Sequence, residues 1–515
     1  MTVVIDRIGG SANGAAGGTL PPAESSSGRP GGGGQKPTPS GPPPLYKKRV
    51  PIYPKLVHGP WRMLKWGFLI ALLGLYYTVP WLRWDRPGDL PDQAAMVDFA
   101  HGRFYFFGLQ LWAQEVYYVT GLLVAAALGL FLVTSLFGRL WCGYACPQTV
   151  WTDLYIAVER LFEGDRNARM KLDKSPTSFD KLWRKGGKHL TWIAIALATG
   201  GAWSLYFADA PTLWREFWAG EAEATTYLSV AILTFTTYVF AGHMREQVCT
   251  YMCPWPRIQG AMLDAHSLQV TYRYDRGEPR GPHKKGETWE GRGDCIDCNQ
   301  CVVVCPMGID IRDGAQLECI NCTLCMDACN EIMAKVGRPR GLIAFDTDAA
   351  VSCRSKGEPA TYKLVRGRTI YYAVALALVG AVMLTGLGTR SSLDLSVMRD
   401  RNPTYIRLKD GSIRNGYTLR VSNKASEARD LEVRFEGPAG TRLHTVGLDD
   451  GKSIIVKVPA GKVRTLRVFA IAPAASLTSH SQPAAFTLTD PVDGNVDRVR
   501  TVYLSPEPDK DDDDD

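Results

Sequence analysis

The chain has 515 residues, several times the usual length of one domain, so a single compact core is excluded. Hydrophobic residues make up 45% and charged residues 22%, but the apolar residues are concentrated in a few stretches, which is typical of a membrane protein. The net charge of +7 is small for this length and argues against a nucleic-acid partner. The 13 cysteines are too few for a disulfide scaffold and too clustered for core residues.

The first 44 residues are rich in Gly, Pro and Ser, a composition that cannot bury enough apolar surface to fold. We expect a disordered tail. The segment lacks the basic start, apolar stretch and cleavage site of a signal peptide, so the amino terminus is expected to stay in the cytoplasm.

Five uncharged apolar stretches of 17 to 22 residues follow the tail. They are Trp66–Leu82, Val116–Phe137, Leu190–Ala208, Ala224–Gly242 and Thr369–Gly388. About 20 helical residues cross a bilayer, so the sequence predicts five transmembrane helices. The alternative, buried helices of a soluble protein, is disfavoured because such helices seldom lack charge over this length.

Basic residues in the connecting segments predict the orientation of these helices. Residues 139–188 carry ten Lys and Arg, whereas residues 83–110 carry three basic and four acidic residues. Basic loops stay inside, so residues 243–368 are predicted to be cytoplasmic and everything after about Thr389 periplasmic.

Two cysteine pairs with C-x3-C-P spacing follow the second and fourth stretches. They are Cys142–Cys146 before Pro147, and Cys249–Cys253 before Pro254. Residues four apart share one face of a helix, so each pair is expected to present two sulfurs at the membrane edge, where the proline kinks or stops the helix.

Together the two pairs form a candidate metal site. Soft thiolates favour Cu(I), zinc or iron–sulfur, and His243, Met244 and Met252 are near enough in sequence to assist. His243 is more simply explained as a polar residue at a helix end. Reduced thiols that only fill space at the interface remain the alternative, and spacing leaves open whether the pairs form one site or two.

Eight further cysteines form a doubled C-x2-C-x2-C-x3-C run, over residues 295–305 and 319–329. This run resembles the bacterial two-cluster ferredoxins. The resemblance implies that Cys295, Cys298, Cys301 and Cys329 hold one [4Fe–4S] cluster, and that Cys319, Cys322, Cys325 and Cys305 hold the other. Structural zinc is the alternative, although zinc prefers two well-separated cysteine pairs.

Every cysteine falls on a segment predicted to be cytoplasmic. Metal-binding thiols must stay reduced, so this distribution is consistent with redox chemistry on the inner side. Asn330 stands where the ferredoxin pattern usually has proline, and Cys353 belongs to no pattern.

The carboxyl-terminal part changes to short β-rich runs. Seven strands are predicted, at Tyr405–Leu408, Tyr417–Val421, Leu431–Phe435, Ser453–Val458, Thr465–Ile471, Ala485–Thr489 and Val499–Leu504. Turn signals at Asp410-Gly411 and Asp450-Gly451 and the strand spacing predict an immunoglobulin-like sandwich with a packing or docking role. The acidic end, residues 511–515, is expected to be solvated.

The predicted protein is thus a multi-domain membrane protein with a five-helix transmembrane bundle, an α+β two-cluster ferredoxin-like insert and an all-β sandwich. The expected units are the tail (1–44), four helices (45–242), the cysteine-rich insert (243–368), the fifth helix (369–389), the sandwich (390–505) and the acidic tail (506–515).

Two other features have plain interpretations. The basic segments 160–188 and 280–285 fit the inside-positive bias and contact with anionic membrane lipid better than docking of a partner. Glu115, Tyr117 and Tyr118 begin the second apolar stretch, where contact with a quinone or an ion is an alternative to simple interfacial placement.

Residues 45–505 resemble the FixG/CcoG/RdxA type of cytochrome c oxidase accessory proteins. The resemblance rests on the paired C-x3-C-P elements, the doubled cysteine run and the cysteine-free sandwich. It implies assembly of the cbb3-type haem–copper oxidase in a bacterial inner membrane, with copper-delivery proteins as partners. It also implies that the chain reduces Cu(II) to Cu(I) with electrons from the two clusters.

Three functions therefore compete: a copper-reducing electron-transfer protein, a quinol-coupled relay to another acceptor, and a non-catalytic assembly scaffold. The sequence does not identify the electron donor.

Overall fold

The computed structural model describes residues 51–86, 90–284, 286–425, 427–445 and 451–506. The predicted tail at residues 1–44, the acidic end at 511–515 and Asp450 of one predicted turn lie outside these ranges.

Four helices in the described ranges are long and apolar enough to cross a membrane: Pro60–Trp81, Ala113–Phe137, Ala224–Met244 and Gly367–Gly388. They coincide with four of the five predicted stretches. The remaining stretch falls in helix Phe179–Ser204, whose first turns are rich in Lys and Arg, so this helix is not one of the four.

Helix Phe179–Ser204 nevertheless packs closely on the helix that begins at Ala224. A Cβ atom at Gly200 would lie 2.9 Å from the carbonyl oxygen of Val230, so glycine is needed for this approach. The hydroxyls of Ser204 and Ser229 are 3.5 Å apart at the same interface.

The segments between these helices hold elements that the sequence analysis did not predict. An antiparallel sheet of three strands lies between the first two spans, at Ala95–Asp98, Arg103–Phe106 and Leu109–Trp112. Four further helices are Leu140–Tyr144, Pro147–Glu163, Arg166–Lys174 and Ala210–Ala219. The last is capped by Asp209, whose carboxylate accepts the backbone N–H of Thr212.

Residues 245–366 form what we call the cysteine-rich domain. Its two antiparallel strands are Gln269–Tyr272 and Ile343–Asp346. Its helices are Trp255–Met262, Tyr274–Gly277, Gln300–Val303, Leu324–Lys335 and Asp348–Ser355. Apolar side chains of the strands and of the helix from Leu324 form one core with Cys295 and Cys301.

The segment before the first span also packs on this domain. Val57 is buried against Val304 and Ile320, and the backbone N–H of Lys55 donates to the carbonyl of Val303 over 3.0 Å. The amino-terminal end of the first span therefore lies against the cysteine-rich domain.

Residues 390–506, the sandwich domain, form two antiparallel sheets. The first has the order Arg442–Thr445, Val463–Ala472, Ile413–Asn423, Leu393–Arg399, with Ile406–Arg407 beside Ile413–Asn423. The second has the order Ser453–Val458, Arg429–Glu436, Ser481–Thr489, Val496–Leu504. Alternate side chains of both sheets point into one core that includes Tyr417, Leu431 and Phe486.

All seven predicted strands overlap observed ones. Leu393–Arg399 and Arg442–Thr445 were missed, the first because it directly follows the last span and the second because it is short.

The sandwich domain is attached to the start of the second span through Glu115. The buried carboxylate of Glu115 accepts hydrogen bonds from Arg390, at 2.8 and 2.7 Å, and from Lys424, at 3.0 Å. Its Oε2 also accepts the backbone N–H of Trp112. Glu115 is thus occupied by an interdomain ion pair, and the quinone or ion contact considered from the sequence is not needed to explain it.

Candidate iron–sulfur and thiol site

The two cysteine runs adopt the same backbone conformation. Left-handed residues stand at equivalent positions, Asp297 and Asn299 in the first run and Asn321 and Thr323 in the second, with φ between 52° and 62°. In each run a helix begins at the following residue, Gln300 or Leu324. Such alternation of left- and right-handed residues turns successive N–H groups into one concavity, a geometry that binds anions and iron–sulfur clusters.

Thr323 is the costliest of these positions, because a β-branched residue rarely adopts positive φ. Its hydroxyl lies 2.6 Å from the hydroxyl of Tyr144 and 2.7 Å from the carbonyl of Cys322. These contacts hold the strained turn and link it to the first C-x3-C pair.

Each run borders its own small cavity. One cavity is lined by Cys295, Cys298, Cys301 and Cys329. The other is lined by Cys305, Cys319, Cys322 and Cys325, with Cys301 at its edge. The fourth cysteine of each set comes from the other run, as the ferredoxin resemblance implies.

The donor set fits a [4Fe–4S] cluster in each cavity. In the second cavity the soft thiols meet Val, Ile and Met side chains, and in the first they meet Ile, Leu and Met side chains together with Arg312. Across the described residues, no three His, Cys, Asp or Glu side chains converge so as to hold a single metal ion, as a zinc site requires. A cubane takes one thiolate at each iron corner, and so keeps the four sulfurs apart.

Burial dominates the titration of these thiols. Desolvation raises the pKa of Cys301 and Cys329 to about 12 and that of Cys319 to about 11, and it raises the pKa of Cys325 well above the ordinary value. Such thiols are protonated at neutral pH, so only positive charge placed in the cavity makes them thiolates. A bound iron–sulfur cluster would supply that charge.

The first C-x3-C pair does not lie on one continuous helix, which corrects the sequence-based expectation. Cys142 is in the short helix Leu140–Tyr144, whereas Cys146 precedes Pro147, the first residue of a new helix. The first helix ends at Tyr144, and Pro147 begins the next one. Its fixed φ and missing N–H suit the first position of a helix.

The segment that carries Cys142 packs directly on the second cysteine run. A Cβ atom at Gly143 would lie 2.6 Å from the carbonyl oxygen of Ile320. The guanidinium of Arg139 donates to the carbonyls of Leu317 and Cys319. The second cavity and the first C-x3-C pair are therefore in direct contact.

The second pair has a similar break. Cys249 lies in the π-helical turn Val248–Met252 and Cys253 follows this turn, while Pro254 precedes helix Trp255–Met262. As with the first pair, the two cysteines do not share one regular helix face.

The fold nevertheless places the two pairs near each other. Burial first, and then repulsion from neighbouring cysteines of both pairs, raises the pKa of Cys142 and Cys249 to about 12. The thiol of Cys142 donates to Oε1 of Gln259 over 3.2 Å. Among the described residues, no three of these thiols converge on one point that could hold a metal ion, so a single four-thiol site is not preformed.

Of the auxiliary candidates, His243 stacks on His189, with ring centroids 5.8 Å apart, and Met252 is exposed. Cys353 is half-buried on helix Asp348–Ser355, and its position assigns it no role.

A buried ionic network beside the thiols was missed by the sequence analysis. Glu159 pairs with Arg169, Lys188 and Arg245, and Glu163 pairs with Lys188 over 2.8 Å. Arg169 and Lys188, which were predicted to face lipid, thus form buried ion pairs within the protein. The sequence did offer one signal of this network. Glu159 and Glu163 lie one helical turn apart, on a helix that is mostly buried.

A small chamber lined by both charged and apolar residues lies between this network and the second cysteine run. Cys249, Met307 and Ile320 line it together with charged residues that include Lys65 and Arg245. The chamber therefore borders both the membrane-edge thiols and the second run.

Three known protein families match the chain. Residues 244–348 match a 4Fe-4S dicluster domain, and residues 119–164 match a 4Fe-4S binding domain. Residues 383–506 match the family described as the IG-like fold at the C-terminus of FixG.

Similar proteins cover most of the chain. The nitrogen fixation protein FixG of Rhizobium meliloti is 48% identical over 478 residues, which are 87% of this chain and 91% of FixG. RdxA of Cereibacter sphaeroides is 48% identical, covering 87% of this chain and 93% of RdxA, and RdxB of the same organism is 50% identical, covering 83% and 90%. Among solved structures, a FixG-related protein from Vibrio parahaemolyticus is 23% identical over 22% of this chain and 98% of that one, with a TM-score of 0.20.

Proposed function

This chain belongs to the FixG/RdxA/RdxB family of membrane iron–sulfur redox proteins, and from that premise we propose that it reduces Cu(II) to Cu(I) at the inner face of a bacterial inner membrane. The Cu(I) would serve assembly of a cbb3-type cytochrome c oxidase. The observation that carries the proposal is the direct contact between the second cysteine run and the segment of Cys142.

Two sets of four cysteines would hold the iron–sulfur clusters. Cys295, Cys298, Cys301 and Cys329 line one cavity, and Cys305, Cys319, Cys322 and Cys325 line the other. Bound [4Fe–4S] clusters supply one-electron oxidation and reduction. The protein's own part is to exclude water from the second cavity and to hold the membrane-edge thiols against its loop.

The four membrane-edge thiols, Cys142, Cys146, Cys249 and Cys253, would bind the copper substrate. Conversion of Cu(II) to Cu(I) would consume one electron, and the protonated thiols that bind the ion would release their protons to solvent. Soft sulfur ligands stabilise Cu(I) over Cu(II), which favours the reduction. Because the four thiols are not gathered around one point among the described residues, copper binding would draw them together.

The contacts at both faces support five crossings of the membrane. The cysteine-rich domain touches the start of the first span, through Lys55, and the end of the second, through Arg139. The chain therefore leaves and re-enters that face between residues 139 and 245, which requires an even number of crossings. Ala224–Met244 would be one crossing, and helix Phe179–Ser204 would supply the other.

The sandwich domain then lies at the opposite face. It contacts Glu115 at the start of the second span, and a Cβ atom at Gly461 would lie 3.3 Å from Leu90. The basic content of residues 139–188 supports a cytoplasmic cysteine-rich domain and a periplasmic sandwich. Two face-to-face antiparallel sheets support an immunoglobulin-like sandwich, with one departure in strand order: Ser453–Val458, which pairs beside Arg429–Glu436, comes after Arg442–Thr445 of the other sheet along the chain.

The topology is tested by labelling intact cells with a membrane-impermeant maleimide. Cysteine introduced at Glu221 should react in a chain with five crossings, whereas cysteine at Glu331 should react only after lysis. Both positions are exposed, so access to each depends on the membrane alone. Reaction of the Glu331 variant in intact cells would refute the inward orientation.

Copper reduction is tested with anaerobically purified, reduced protein. Cu(II) should abolish the EPR signal of the reduced clusters, with Cu(I) trapped by a chromogenic chelator. The double variant Cys142→Ser and Cys249→Ser should keep its iron but react slower by roughly tenfold or more, equal to at least ~1.4 kcal/mol of barrier. Cys353→Ser is the matched control and should behave as wild type.

Three outcomes contradict the proposal. An undiminished rate in the double variant removes the thiols from the reaction. Cluster reduction by a quinol analogue without oxidation by Cu(II) favours a quinol-coupled relay. Normal oxidase assembly in cells that carry cluster-ligand variants favours a scaffold.

A further inference from the structure

A large apolar cavity lies at the end of the helices remote from the cysteines. Its volume is about 410 Å³, and it is enclosed by the first span and by helices Phe179–Ser204, Ala210–Ala219 and Ala224–Thr237. Its lining includes Leu197, Ala198, Gly201, Leu213, Trp214 and Phe217. No Asp, Glu, Lys or Arg is among its lining residues, all of which the structure describes.

Two hydroxyl groups that border the cavity are already engaged within the protein. The hydroxyl of Tyr77 lies 2.9 Å from that of Thr199, and the hydroxyl of Ser204 donates to the carbonyl of Gly200 over 3.3 Å. The site therefore offers little to a polar head group and suits a hydrocarbon ligand.

Gly201 opens directly into this space. A Cβ atom at Gly201 would have no neighbour within 4 Å, whereas one at Gly200 would lie 2.9 Å from the carbonyl of Val230. Gly200 thus lies on the face of the helix that packs on its neighbour, and Gly201 lies on the face that is open to the cavity. At about 30 Å³ for one water-sized group, the space would accept on the order of a dozen methylene groups.

Helix Ala210–Ala219 forms the rim of the cavity at the membrane–water boundary. Leu213 is buried toward the spans, while Trp214 and Trp218 are half exposed. Trp81 of the first span meets Trp214 edge-to-face at 6.0 Å. Tryptophans gather at the level of lipid head groups, so a molecule entering here would leave its polar end at that boundary.

We propose that this cavity binds one acyl chain of a bilayer phospholipid, from the leaflet remote from the cysteine-rich domain. The cavity opens among membrane-spanning helices, so lipid chains are the apolar molecules that reach it. An unfilled apolar space of this size forfeits dispersion contacts along all four helices, and the chain restores them. The cavity lies at the face opposite the thiols, so a quinol bound here would sit far from the cysteines that exchange electrons.

The test uses the full-length protein in detergent, examined by native mass spectrometry with palmitoyl-oleoyl phosphatidylethanolamine added back after delipidation. Wild type should retain one phospholipid more tightly than the bulk. Gly201→Phe should fill the cavity and lower the fraction of protein that carries this lipid at least fivefold. Ile193→Phe is the matched control, because Ile193 is exposed on the same helix and outside the cavity, and it should bind as wild type.

Iron content and the cluster EPR signal, measured in every variant, confirm that each is folded. If Gly201→Phe loses iron, Ala198→Leu fills the same space with a smaller change and replaces it. Wild-type lipid retention in a folded cavity-filling variant overturns the proposal, as does extraction of a quinone in place of phospholipid. Neither result depends on whether the protein reduces copper.

Discussion

The two cysteine runs share spacing and backbone but have different surroundings. In the first run Asp297, Cys298 and Asn299 are exposed, whereas the equivalent Asn321, Cys322 and Thr323 are buried. Cys298 is the one exposed cysteine of the thirteen, all of which are described. The first run thus presents an edge to solvent, and the second presents its loop to the membrane-edge thiols.

This difference suits the two runs to different steps of electron transfer. The solvent-exposed first run is the place where electrons would enter, and the second run, beside the membrane-edge thiols, is the place where they would leave. Spacing dictates which thiols share a cavity, and neighbouring elements dictate what can approach it. Solvent exposure and nearby charge also tune the reduction potential of an iron–sulfur centre. The two sites are therefore expected to differ in potential and in accessibility.

The largest effect is expected from removing a ligand of the second cavity. Cys322→Ser should lose about half of the iron and all copper reduction, because this cavity contacts the segment of Cys142. Iron analysis and the Cu(I) assay measure both quantities. Cys298→Ser is the matched change in the first run; it should also lose iron, but should destabilise the fold less because Cys298 is exposed. Equal thermal destabilisation by the two variants would remove the distinction between the runs.

The next effect concerns the support of the first cavity. Ile343 lines this cavity, and Asp346 ends the same strand, fully buried between Arg273, at 2.7 Å, and Arg354, at 2.5 Å. Asp346→Asn leaves Arg273 without its charge partner and leaves Arg354 with Asp275 alone, at 3.0 Å, so it should cost about 3 kcal/mol. The iron of the first cavity should be lost at a lower temperature than that of the second, as followed by EPR during heating.

Asp346 also predicts a dependence on pH. Burial alone would raise its pKa, but the N–H of Thr347 and the two arginines outweigh burial and hold the pKa below the usual range. The stabilisation is therefore present above about pH 4 and is lost as the pH falls through the lowered pKa. Wild type should lose thermal stability across this acidic range more steeply than Asp346→Asn, and parallel curves would contradict the assignment.

The sequence predicted the parts that depend on local spacing. The intervals between cysteines carry the ferredoxin resemblance, which implied the two sets of cysteines that line the cavities, and apolar length predicted four of the spans. Neither pattern encodes the contact of Gly143 with Ile320, which joins residues 177 positions apart. The ion pair between Glu115 and Arg390 was missed for the same reason, since a lone glutamate gives no signal of a partner from a distant domain.

A smaller effect is expected where the second run meets the membrane edge. Gly143→Ala places a Cβ atom 2.6 Å from the carbonyl oxygen of Ile320, so backbone must shift, at a cost of about 2 kcal/mol. The thermal midpoint should fall, and copper reduction should slow while iron content is kept. Gly186→Ala is the matched control, because its Cβ would have no neighbour within 4 Å in a helix where alanine is favoured. That variant should be as stable as wild type or slightly more so.

The smallest effect is a shift in potential confined to the first run. The guanidinium of Arg312, buried beside Asp310, Asp297 and Asn299, places positive charge near Cys301. The positive charge stabilises the reduced state of the cluster, and Arg312→Gln removes this charge. The reduction potential of the first cluster should therefore fall by on the order of 50 mV, which is roughly tenfold in a one-electron equilibrium. Redox titration followed by EPR resolves the two clusters, and the potential of the second cluster should not change because Arg312 lies at the first cavity.

The exposed Arg340 offers a control of equal charge, and Arg340→Gln should leave both potentials unchanged. A shift of equal size in both clusters would mean that the two runs share one electrostatic environment.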